Sequence, residues 1–83
     1  MARRILVVDD ELDIRMVLEE ILKGQGFEVS TAQNGEEALK KLEKEVYDLM
    51  VLDIMMPVMD GNAVLAALPE DIKEKMPVIM LTA

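Results

Sequence analysis

Leu49-Met-Val-Leu-Asp53-Ile-Met-Met-Pro57-Val-Met-Asp-Gly61 is the stretch on which the fold turns. Its first four residues, Leu49 to Leu52, are all apolar and predict a strand buried on both faces, as in a parallel sheet covered by helices. The run stops on a carboxylate, Asp53, after which Pro57 and the Asp60-Gly61 pair turn the chain. An acid at the tip of a buried strand is costly unless a cation or hydrogen-bond donors meet it. Two more acids, Asp9 and Asp10, end the other long apolar run, Ile5 to Val8, in the same way. The three carboxylates are therefore expected to meet in space and to hold a hard cation.

On either side of that stretch, strand and helix patterns alternate. Arg4 to Val8 reads as the first strand. Ile14, Val17, Leu18, Ile21 and Leu22 then fall at the three- and four-residue intervals of one helix face. Gly24 is placed to end this helix in a left-handed cap, with Gly26 loosening the turn after it. Phe27 to Ala32 reads as a second strand nearer an edge. Asn34 opens a second helix with Glu37 in capping-box spacing. Ala38, Leu39, Leu42 and Val46 form its expected buried stripe, with Lys40, Lys41 and Lys44 facing water. Beyond Gly61, the residues Ala63, Val64, Ala67 and Leu68 predict a short third helix that Pro69 stops or restarts. Pro77 to Leu81 is a last apolar strand. Such alternation implies an α/β fold, a doubly wound parallel sheet with right-handed crossovers and helices on both faces. The methionines clustered at Met50, Met55, Met56 and Met59 read as adaptable core filler.

Composition removes several classes of function. The 83 residues suffice for one domain. With 2% aromatic residues and a formal net charge of -8, the chain lacks base-stacking surfaces and repels phosphate backbones and anionic lipid. No direct contact with nucleic acid or membrane is expected of it. It has no cysteine and no histidine, so thiolate chemistry, the usual general base and the commonest zinc ligand are missing. The four apolar residues after Met1-Ala-Arg-Arg4 are too few for a signal sequence or a membrane span, and a cytoplasmic location is expected.

In an open parallel sheet, ligands bind outside the carboxyl ends of the strands, where all three acids are placed. Oxygen-only ligands favour Mg²⁺. Phosphate suits such a pocket, because a carboxylate can attack it and form an acyl phosphate. Asp53, alone on its strand tip, is best placed as that nucleophile. Thr82, at the tip of the last strand, can offer a hydroxyl to the phosphoryl group, and the small Ala83 leaves room for it. Taken singly, all but Asp53 have a plain structural role, while an acid ending a buried run has no obvious one. An Asp-Asp pair after a strand commonly caps a helix, Asp60-Gly61 reads as a turn, and Thr82 reads as a strand-end threonine. The constellation carries the chemistry.

Asp9-Asp10 after Ile5-Leu-Val-Val8, Leu52-Asp53-Ile-Met-Met56-Pro57 with Met59-Asp60-Gly61, and Pro77-Val-Ile-Met-Leu-Thr82-Ala83 stand in one order and spacing. Together they resemble a response-regulator receiver domain of two-component signalling, over the whole chain. The resemblance implies a flavodoxin-like sheet with strand order 2-1-3-4. It implies phosphotransfer to Asp53 from a histidine kinase, so that the chain is a phosphoacceptor and not an enzyme beyond self-phosphorylation and self-dephosphorylation. It also implies Mg²⁺ held by Asp10, Asp53 and the main-chain carbonyl of Met55, with Asp9 helping through water, and Thr82 hydrogen-bonded to the phosphoryl oxygen.

Members of that family usually run on through a fourth helix, a fifth strand and a fifth helix, so residues 1–83 are expected to be a receiver domain truncated after its fourth strand. The lysine that normally pairs with the phosphoryl group is then missing, and none of Lys23, Lys40, Lys41, Lys44, Lys73 or Lys75 is at a strand tip. A bare stripe from Ile14 to Leu22 and an exposed edge from Val78 to Leu81 are expected, with self-association into a homodimer or swapped oligomer. The alternatives are an assembly module that keeps the fold without phosphotransfer, and a small Mg²⁺-dependent phosphohydrolase. The latter lacks a second acid two residues after Asp53, where Met55 stands.

Overall fold

The computed structural model describes residues 2–56 and 59–81. Its elements, in chain order, are β1 (Arg4–Val8), α1 (Leu12–Gly24), β2 (Glu28–Ala32), α2 (Gly35–Lys44), β3 (Leu49–Asp53), α3 (Gly61–Ala67), α4 (Glu70–Lys75) and β4 (Val78–Leu81). The strands form one parallel sheet in the order β2-β1-β3-β4, as the resemblance implied. From β1 the chain crosses outward to β2, then back past β1 to β3. Right-handed crossovers in opposite directions place their helices on opposite faces of the sheet.

Side-chain alternation along the strands separates the two faces. Leu6, Val8, Met50 and Leu52 pack with Ala38 and Leu42 of α2, Val64 of α3, and Leu68 and Met76, forming the larger core. Ile5, Val7 and Val51 point the other way, toward Leu18, Leu22 and Phe27. That second core is thin. No residue of α1 is fully buried, and Leu12, Ile14, Met16, Val17 and Ile21 of this helix remain exposed. On β4, Ile79 is exposed as well, while Val78, Met80 and Leu81 are half-buried. The clustered methionines divide: Met50 and Met56 fill the larger core, whereas Met55 is exposed.

Two local expectations are corrected. Val46 is 83% exposed, because α2 ends at Lys44 and the extended backbone of Glu45 takes the next residues out of helical phase. Tyr47 is buried in its place. The left-handed residue after α1 is Gly26 (φ 93°), not Gly24, which is the last helical residue. Gly26 N–H reaches the Lys23 carbonyl at 3.0 Å and Phe27 N–H the Leu22 carbonyl at 3.2 Å, the paired bonds of a Schellman cap. Pro69, expected to stop or restart the third helix, does both: α3 ends before it and the further short helix α4 follows. Asn34 caps α2 as expected, its side chain accepting from Glu37 N–H at 2.8 Å.

At the end of the sheet remote from the strand tips, Arg4 ties the loop before β3 to β1. Its N–H donates to the Asp48 carboxylate at 2.8 Å, its guanidinium pairs with Glu45, and the same group lies 5.1 Å from the centre of the Tyr47 ring. Fully buried Leu52 and exposed Val46 should accordingly respond very differently to truncation. Leu52→Ala is expected to lower the unfolding free energy by about 3 kcal/mol and Val46→Ala by less than about 0.5 kcal/mol, measured by urea denaturation.

Candidate functional site

The register of the two central strands decides where the acids go. Val8 pairs with Leu52 across β1 and β3, so the residues that follow them, Asp9 and Asp53, leave the sheet side by side. This is also where the chain's crossovers diverge to opposite faces, which opens a crevice at the carboxyl end of the sheet. One carboxylate oxygen each from Asp9, Asp10 and Asp53 lies within 4.8 Å of the others. Asp9 and Asp53 are buried, at 3% and 9% exposure, while Asp10 is exposed at the rim.

Each carboxylate is held differently. Asp9 N–H donates to the Ala32 carbonyl of β2 at 3.1 Å, and its Oδ1 accepts from Glu11 N–H at 2.9 Å. Its carbonyl accepts from Arg15 Nη1 of α1 at 2.7 Å. The Asp9-Asp10 pair is thus not a helix cap, because α1 begins after Glu11 and has no side-chain cap. Asp53 Oδ1 accepts from Met55 N–H at 3.0 Å. Burial pushes the Asp53 carboxyl above its ordinary value; the Met55 N–H bond opposes that shift, and the negative charge of Asp9 and the hydrogen-bonding, charged Asp10 add to it.

The loop after Asp53 is pinned by main-chain bonds. Ile54 N–H donates to the Leu81 carbonyl of β4 and Gly61 N–H donates to the Ile54 carbonyl, both at 3.1 Å. Asp60 does more than turn the chain, since its Oδ1 accepts from Ala63 N–H at 2.8 Å and caps α3. Gly61 is required by contact: a Cβ there would lie 2.8 Å from the Asp53 carbonyl oxygen and 2.9 Å from Ile54 Cα. An open depression lined by Asp10, Ile54, Met55, Met56, Asp60 and Asn62 leads away from the acids.

The structure therefore brings together Asp9, Asp10 and Asp53, with Met55 directly beside them. Thr82 and Ala83 lie outside the described residues. The sequence reading passed over Arg15 and gave Asp60-Gly61 too small a role. Asp60 three residues before Ala63 was a readable cap signal, whereas the closeness of Gly61 to β3 had no local signature. The donor set fits a hard divalent ion: it is all oxygen, it carries negative charge, and it is partly shielded from water. No helix among the described residues is long and apolar enough to cross a membrane.

Comparison with known proteins agrees with this geometry. Residues 5–83 match the model of the response regulator receiver domain. The alkaline phosphatase synthesis transcriptional regulatory protein PhoP of Bacillus subtilis is 49% identical over 83 residues, covering 100% of this chain and 34% of that protein. The probable transcriptional regulator ycf27 of Pyropia yezoensis is 52% identical over 80 residues, covering 96% of this chain and 32% of the relative. The chain thus spans about a third of the length of these curated relatives. Among solved structures, the response regulator TrrA of Thermotoga maritima in complex with Mg²⁺-BeF superposes with a TM-score of 0.89 at 49% identity, covering 98% of this chain and 70% of that one. The N-terminal domain of a response regulator receiver protein from Methanoculleus marisnigri gives 0.92 at 41% identity, covering 100% and 68%.

Above its ordinary value of 3.8, ionised Asp53 costs the metal-free fold stability. A raised folded pKa means that the contribution of Asp53 is fully present below the unfolded value and is lost as pH rises through the folded one. With a chelator present, Asp53→Asn is expected to be more stable than wild type at pH 7, and the gap to close as pH falls toward 3.8, as followed by urea unfolding across pH.

Proposed function

The chain belongs to the response regulator receiver domains, and on that premise we propose that it is the phosphoacceptor unit of a cytoplasmic two-component system, phosphorylated on Asp53 by a histidine kinase. The observation that supports this most is the convergence of three carboxylates at the tips of two neighbouring strands, one of them ending β3 alone.

Asp53 attacks the phosphorus through the carboxylate oxygen that Met55 N–H does not hold. An O–P bond forms as the P–N bond to the kinase histidine breaks, and the imidazole leaves with that electron pair and takes up a proton. Asp10, Asp53 and the main-chain carbonyl of Met55, with Asp9 helping through water, would hold Mg²⁺, which when bound would supply positive charge to offset that of the phosphate. Thr82 is assigned the hydrogen bond to the phosphoryl oxygen, and Ala83 the small neighbour that gives access to it. Met55 N–H and the Asp9 loop hold their carboxylates in place before the phosphate arrives, so little reorganisation remains for the transfer itself.

The unit takes one phosphoryl group and does not turn over a substrate, apart from self-phosphorylation by small donors and self-dephosphorylation. With Mg²⁺ and acetyl phosphate, mass spectrometry should find a single phosphoryl adduct on wild type and none on Asp53→Asn. Sustained release of phosphate from a phosphate ester would instead favour a hydrolase. Mg²⁺ should raise the melting temperature of wild type and do so much less for Asp53→Asn.

The exposed apolar residues of α1 and of β4 favour a second property of residues 1–83, association into a homodimer or swapped oligomer. Sedimentation velocity over a concentration series should show a growing dimer fraction, reduced by Ile79→Lys on the free edge of β4. A wild-type profile that stays monomeric at the highest concentration would reject this.

A further inference from the structure

We infer that Arg15 is a positioning residue for the acid pocket, fixing the loop between β1 and α1 so that Asp9 and Asp10 face Asp53 before any cation arrives. This rests on the reading of the pocket as a divalent-ion and phosphoryl site.

Three charges confined within 4.8 Å drive one another apart, and the loop carrying two of them is the part able to yield. Asp9 begins that loop and is fastened on three sides. Its N–H is bound to β2, its Oδ1 to Glu11 N–H, and its carbonyl to the Arg15 guanidinium at 2.7 Å. The first two bonds are local or belong to the sheet edge. Only the third reaches the loop from the body of α1, where Arg15 stands half-buried one turn into the helix with its N–H bonded to the Glu11 carbonyl at 3.1 Å. The guanidinium donates from Nη1 to a main-chain oxygen and not to a carboxylate, so its contact bears on the path of the backbone through Asp9 and into Asp10. Asp10, exposed at the rim, depends on that path for its direction.

Charge and position make opposite predictions for this residue. As a mere cation near three acids, Arg15 would oppose a divalent ion, and removing it would tighten binding. As the tether of the loop it favours the bound geometry, and removing it weakens binding. Titration of Mg²⁺ into the ¹⁵N-labelled chain, followed by the amide shifts of Asp10, Ile54 and Met55, reads the sign directly. Arg15→Met is expected to raise the dissociation constant on the order of tenfold, the usual size for loss of a group that orients a metal ligand. Arg15→Lys, which keeps a cationic donor, should recover a large part of that loss. Melting in chelator, compared across the three proteins, reports whether each variant is folded.

Binding by Arg15→Met that is equal to wild type or tighter would overturn the inference while leaving the pocket's function standing. So would an Arg15→Lys variant as weak as Arg15→Met. No saturable response to Mg²⁺ in wild type itself would defeat the reading of the pocket, and the role of Arg15 with it.

Discussion

Mutual repulsion of Asp9, Asp10 and Asp53 is the constraint around which the carboxyl end of the sheet is built. Two like charges about 4 Å apart near a protein surface repel by about 4 kcal/mol, more than a single hydrogen bond to a charged group returns, at about 1.5–3 kcal/mol. One hydrogen bond therefore offsets only part of one such repulsion, and a cation between the three would offset more. Burial raises the Asp53 carboxyl above its ordinary value and the neighbouring Asp9 and Asp10 add to that shift, while the all-oxygen donor set is what a hard cation needs. The fold meets the remaining strain with fixed backbone: Met55 N–H on Asp53, and Glu11 N–H and the Arg15 guanidinium on Asp9.

Such a cluster is tolerable only on a rigid base, and the two faces of the sheet contribute unequally to it. On the side of α2, α3 and α4, fully buried Leu6, Val8, Met50, Leu52 and Val64 form a continuous core. Val8 and Leu52 lie directly under Asp9 and Asp53, so the best-packed residues of the molecule support the site. The α1 side is looser, since that helix leaves Met16, Val17 and Ile21 in solvent. The loop with Asp9 and Asp10 leads into this loosely packed helix, whose Arg15 supplies the side-chain tether inferred above.

How much of this was legible in the sequence depends on whether the signal was local. The apolar runs at Ile5–Val8 and Leu49–Leu52, each ending on acid, revealed the central strands, and the helix periods revealed their connections. Val46 misled because spacing alone continued the α2 stripe, while the chain had already gone extended at Glu45. Gly24 was the expected left-handed cap, and only the backbone showed that Gly26 takes the positive φ. The closeness of Gly61 to the Asp53 carbonyl is set by where α3 meets β3, which no spacing rule contains. The Arg15 contact likewise spans six positions through a loop whose path is a property of the fold.

Met55 bears on what the pocket does with a phosphoryl group once it has one. Hydrolysing an acyl phosphate quickly calls for a group that takes a proton from water beside the phosphorus. The position two residues after Asp53 holds an exposed thioether, which has no proton to accept or give near neutral pH. Residues 1–83 contain no histidine to serve instead, and the nearby carboxylates Asp9 and Asp10 are those the proposed function gives to the cation. Under the proposed function, an adduct on Asp53 would therefore have no evident base among the described residues. That accords with the proposed phosphoacceptor better than with the repeated turnover of a hydrolase.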